Sequence, residues 1–173
     1  MAADALKAAA ALFVCVILQT APILSLVDPF GASPDLVLVA LVAIALLRGS
    51  IFGAFAGFWA GFLLDSATLQ TLGVTSLLLT IAGYWIGRYG ETTGRDRTHA
   101  PFVSVAVVTL LYSIGALILH YMLGDPASAS RVLLDALPFE LIFNLILTVP
   151  VYALCRRLFR PPPTGLEEVQ LLG

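Results

Sequence analysis

Glu140 and Asn144 stand one helical turn apart in an apolar run flanked by Pro138 and Pro150, and they are the most conspicuous polar pair in this chain. A carboxylate in such a run is costly in lipid unless it faces other helices, water or a hydrogen-bond donor. The four-residue spacing places Asn144 where it can be that donor. The pair therefore reads as a satisfied interhelical hydrogen bond or as a ligand or partner site. Asp35 and Asp65 form a second set. Asp35 follows Pro34 and precedes an apolar run, which is the pattern of a residue that starts a helix, and Asp65 closes another apolar run. Two carboxylates at one rim can bind a cation or a partner, and each is also an ordinary boundary residue. With His120 near the end of its own apolar run, Asp35, Asp65, Glu140 and Asn144 make up a candidate polar rim or cavity.

Other chemistries lack their residues. His99 and His120 are isolated, and neither Cys15 nor Cys155 is spaced to join them in a metal site. Both cysteines sit inside apolar runs as small hydrophobes, so no disulfide framework is expected. A phosphate-cradling glycine loop, a Gly-x-Ser-x-Gly elbow and a His-Glu-x-x-His pair are all absent from the sequence. The expectation is a protein that is not an enzyme, carries no cofactor and has no nucleic-acid partner.

Gly53, Gly57 and Gly61 recur every four residues and share one helical face. Small residues in this pattern let a second helix approach closely, and close packing drives helix association in lipid. The face suits packing within this chain or a partner's helix. Arg48 lies at a turn between two apolar runs, and Arg156, Arg157 and Arg160 follow the last one. All four are candidate anchors to anionic lipid on the cytoplasmic side, although Arg48 needs a partner if its turn is buried.

These residues must be positioned by elements that live in a bilayer. The chain is 60% hydrophobic and 12% charged, with a mean hydropathy of +0.98, against about 25% charge in soluble domains. Six apolar blocks, at about 6–27, 36–47, 51–64, 72–89, 102–123 and 137–155, are unbroken runs without the alternation of barrel strands. They predict an all-α fold, a compact bundle of six transmembrane helices in a single domain over 1–160, followed by a mobile Pro-rich cytoplasmic tail over 161–173. Blocks two and three are short, about 20 Å each as helices, so they span with help from the bilayer or form a re-entrant pair. Block one is expected to be an uncleaved membrane helix, because Pro22 and the renewed apolar run after it spoil a signal-cleavage site.

Along a six-crossing path, Lys7, Arg48, Arg88, Arg95, Arg97, Arg156, Arg157 and Arg160 fall on one side and Arg131 alone on the other. The positive-inside rule makes the first side cytoplasmic, with both termini there. Asp28, Asp35, Asp65, Asp125 and Asp135 gather on the opposite side. The net charge of −2 adds little, because cation distribution and not net charge orients a membrane protein.

The stretch from Pro34 to Gly87 carries a family resemblance. Pro34-Asp35-Leu36, Leu46-Leu47-Arg48-Gly49, Gly57-Phe58 through Gly61, Leu63-Leu64-Asp65, Leu72-Gly73 and Gly83-Tyr84 through Gly87, with Asn144 before the basic stop, resemble the MreD family of rod shape-determining proteins. The resemblance implies a non-enzymatic scaffold of the elongation machinery in the bacterial inner membrane. Such a scaffold binds MreC and works with MreB, RodA and the transpeptidase PBP2 in peptidoglycan synthesis. It also implies a fold similar to the substrate-binding subunits of energy-coupling-factor transporters. The rival expectation is a vitamin-like small-molecule binding subunit of a transporter, its cavity opening outward near Glu140, Asn144 and His120.

Overall fold

A computed structural model describes residues 2–21, 34–68, 72–93, 99–122 and 137–159. Among the described residues there are six helices: α1 (Ala2–Thr20), α2 (Leu36–Arg48), α3 (Ser50–Thr68), α4 (Val74–Thr93), α5 (Ala100–Met122) and α6 (Leu137–Leu158). The α3 helix, the Ala100–Ile118 part of α5, and α6 are each long and apolar enough to cross a membrane.

The shortest helix is the centre of the molecule. Every residue of α2 from Val37 to Leu47 is buried, as expected of a helix that is apolar all round. It packs against each of the other five helices. Val105 and Val108 of α5 and Ile86 of α4 cluster with Leu38, Val42 and Leu46 on one side, and Leu12 of α1, Leu64 of α3 and Leu79 of α4 cluster with Leu41 and Ile44 on another.

Block three is not short. Helix α3 has 19 residues, about 28 Å of length, and continues one turn past Asp65. Beyond Asp65 the helix carries polar residues whose hydroxyls are satisfied by its own carbonyls. Ser66 Oγ donates to the Phe62 carbonyl at 2.7 Å and Thr68 Oγ1 to that of Leu64 at 2.8 Å. The α2–α3 pair is thus one short buried helix followed by one of spanning length.

A single residue, Gly49, joins the two. Its φ of +96° lies in the left-handed region, where a side chain is strained. Its N–H donates to the Ala45 carbonyl at 2.9 Å, and its own carbonyl accepts from the Gly53 N–H at 2.9 Å, so α2 closes and α3 opens on the same residue.

Other helix ends also differ from the apolar blocks. Helix α1 starts four residues before block one and stops at Thr20, ahead of Pro22, which disfavours helical backbone in the residue before it. Helix α4 runs on through Arg88 and Glu91 to Thr93, because polar residues at a helix end can reach past the apolar zone. Pro101 is accepted in the first turn of α5, where no N–H is required. Pro150 lies inside α6 and leaves the Ile146 carbonyl without its usual donor. Asp28, Arg95, Arg97, Asp125, Arg131, Asp135, Arg160 and the tail over 161–173 lie outside the described residues.

Candidate functional site

The Asp35 end of the bundle holds a buried polar layer. Asp35 is the N-cap of α2: its Oδ1 accepts from the Leu38 N–H at 3.0 Å, satisfying a donor that has no partner within the helix. Gln19, from the last turn of α1, accepts from the Val37 N–H at 3.0 Å. The Asp35 N–H donates to Asn144 Oδ1 at 2.9 Å. Three backbone donors of a helix start, none of which has a partner within the helix, are thereby answered by three different side chains, two of them from other helices.

Asn144 is the hub. It is fully buried, and while Oδ1 serves α2, its Nδ2 donates to Thr109 Oγ1 of α5 at 3.1 Å. Thr148 Oγ1 donates to the Asn144 carbonyl one turn on, at 2.7 Å. A single carboxamide therefore ties α6 to α2 and α5. Glu140 makes an interhelical hydrogen bond, one of the two readings of the pair, but Asn144 is not its donor. Its Oε2 accepts instead from Ser113 Oγ of α5 at 3.3 Å, because the two side chains one turn apart on α6 meet different neighbours.

Asp65 is buried as well, with one per cent of its surface exposed. Its Oδ2 accepts from the Gly73 N–H at 2.8 Å, which fastens the end of α3 to the turn that starts α4. Its Oδ1 has no hydrogen-bond partner. Asp65 is thus an interior turn-closing residue and not an exposed rim carboxylate. His120 belongs to the last turns of α5, and its side chain lies outside the described residues.

The glycine stripe is occupied by this chain. Gly53 faces the Gly83 carbonyl, Gly57 that of Leu79, and Gly61 the backbone of Ser76, so a Cβ on any of the three would overlap α4. The pairs run in opposite directions along the two helices, an antiparallel contact in which backbone meets backbone. Gly83 and Gly87 of α4 are equally close to Gly53 and Gly49. A partner's helix has no room on that face.

Arg48 is not a free lipid anchor either. Its guanidinium pairs with Asp4 of α1 and lies 5.5 Å from the Phe52 ring centroid, an arrangement that combines ion pairing with a cation–π contact. Across the same end of the bundle, the Ser50 N–H and Oγ both donate to Glu91, at 2.8 and 3.1 Å. Arg156 and Arg157 are exposed at the end of α6.

Gln19, Thr109, Ser113 and Glu91 were not singled out by sequence reasoning. Thr109 and Ser113 had a usable signal, because two small polar residues four apart in an apolar helix mark a face that hydrogen-bonds across helices. Gln19 and Glu91 had none, since both sit at helix ends where polar residues are routine.

Apart from Asp65 Oδ1, the polar groups of the Asp35 end are paired with one another or with backbone. Among the described residues no group of three or more His, Cys, Asp or Glu is placed to hold a metal ion. The profile of the family described as rod shape-determining protein MreD matches residues 7–158. No curated protein and no solved structure matches the chain.

Proposed function

We infer that this chain, which belongs to the MreD family of rod shape-determining proteins, is a non-enzymatic scaffold of the bacterial elongation machinery in the inner membrane. The family match over 7–158 carries the reading. In it the scaffold binds MreC and helps couple MreB to peptidoglycan synthesis by RodA and PBP2. The chain crosses the bilayer six times, or by a topological equivalent in which α2 is enclosed, and both termini are cytoplasmic.

The geometry supports this in two ways. Asp4 to Arg48 joins the start of α1 to the end of α2, and Ser50 to Glu91 joins the start of α3 to the end of α4. Arg48 and Arg88 therefore share one end of the bundle, as the positive-inside rule requires of a cytoplasmic face. The polar groups at the opposite end are largely engaged with one another, which suits a rigid platform better than an open ligand site.

With the glycine stripe filled, the contact for a partner's spanning helix is assigned to α6. Its exposed Ile142, Ile146 and Val149 form an apolar strip at three- and four-residue spacing. A photo-crosslinking residue at Ile146 in native membranes tests the proposal. Capture of a single-span protein with an extracellular coiled coil is expected. Capture of ATPase subunits, or thermal stabilisation of the pure protein by a vitamin, would instead establish the transporter reading.

A further inference from the structure

A groove of about 430 Å³ runs between α4 and α5. Ile81, Trp85 and Tyr89 line it from α4, and Val103, Val107 and Leu111 from α5. Ser104 lines it too, and although this serine is buried, its Oγ has no hydrogen-bond partner. That is unusual here, since Ser66, Thr80 and Thr148 each donate to the carbonyl four residues back. Ser104 Oγ is itself enclosed by the chain, so the groove presents an apolar wall and calls for an occupant that is apolar along its length.

Charge points to the chemistry of that occupant. Arg88 lies three residues beyond Trp85 and so on the same side of α4, at the Tyr89 end of the groove, with its side chain 59% exposed. Glu91 Oε2, 3.6 Å from Arg88 Nη1, is a loose partner and leaves the other guanidinium donors available. Trp85 and Tyr89 beside Arg88 are the residue types that settle at a membrane–water interface.

We propose that this groove binds an anionic phospholipid from the leaflet at the Arg88 end. One acyl chain lies between α4 and α5, and the phosphate sits at Arg88.

The two tryptophans of the chain are Trp59 and Trp85, so Trp59→Phe leaves Trp85 as sole reporter. The full chain is reconstituted in phosphatidylcholine bilayers containing a minor fraction of brominated phosphatidylglycerol or brominated phosphatidylcholine. Trp85 fluorescence is expected to be half-quenched at an about two- to fivefold lower fraction of the anionic lipid, the enrichment one arginine gives near anionic headgroups. Arg88→Gln should remove the preference. Val107→Phe, at a lipid-exposed position on the groove wall, should reduce quenching by both lipids while the helical content is kept. Equal quenching by the two lipids, or a preference that survives both substitutions, means ordinary surrounding lipid and overturns the proposal. A protein that crosslinks at Val107 in native membranes and relieves the quenching gives the groove to a partner's helix and overturns it as well.

Discussion

Asn144 illustrates what one buried side chain can hold in lipid. Replacing it with Leu removes the acceptor of the Asp35 N–H and the donor to Thr109 together, leaving both groups unanswered in the interior. The expected loss is about 1–3 kcal/mol, read as a lower unfolding midpoint in mild detergent. Asp65 should behave in the opposite sense. Asp65→Asn keeps an acceptor for the Gly73 N–H and removes a charge whose second oxygen has no partner. It should be neutral or stabilising by up to about 1 kcal/mol, whereas Asp65→Ala should destabilise by about 1–3 kcal/mol. The type and rough position of Asn144 and Asp65 were legible in the sequence. Their partners were not, because those partners lie up to 109 positions away and a sequence pattern speaks only about neighbours on one helix.

At the scale of elements, α2 depends on its cap and α3 on its bare face. Asp35→Ala removes the side-chain acceptor for Leu38 and is expected to cost about 1 kcal/mol, with Asp35→Asn largely retaining stability; denaturant midpoints of the two variants check this. Gly57→Leu drives a branched side chain into the Leu79 carbonyl, so α3 and α4 must separate. A loss of about 3 kcal/mol or more is expected, seen as failure to accumulate in membranes. Gly73→Ala meets no neighbouring atom, and only its positive φ is strained, so about 1–2 kcal/mol should be lost. The contrast separates packing from backbone strain. The glycine spacing announced a close helix contact, but it could not say whose helix, because a small-residue face is complementary to any backbone that reaches it.

For the whole molecule, the testable statement is orientation. With Cys15 and Cys155 replaced by Ala, a cysteine introduced as Leu72→Cys should react with a membrane-impermeant maleimide in spheroplasts. One introduced as Arg156→Cys should react only after the membrane is opened. Leu72 and Arg156 are both exposed, so their reactivity reports side and not burial. The reverse pattern would place the cationic end outside and contradict the proposed topology.

Composition and run length determined that this chain is a helical membrane protein, because unpaired backbone groups are not tolerated in lipid and helices satisfy them locally. Local pattern also marked Asp35 as a cap and the glycines as a contact face. Tertiary structure alone decided that α2 is the enclosed centre, that α4 fills the glycine stripe, that Arg48 pairs with Asp4, and that Asn144 serves α2 and α5 instead of Glu140. Each of these depends on which helices come to lie side by side. That is a property of the packed bundle, in which every face is matched against all the others at once, and no single run of residues contains it.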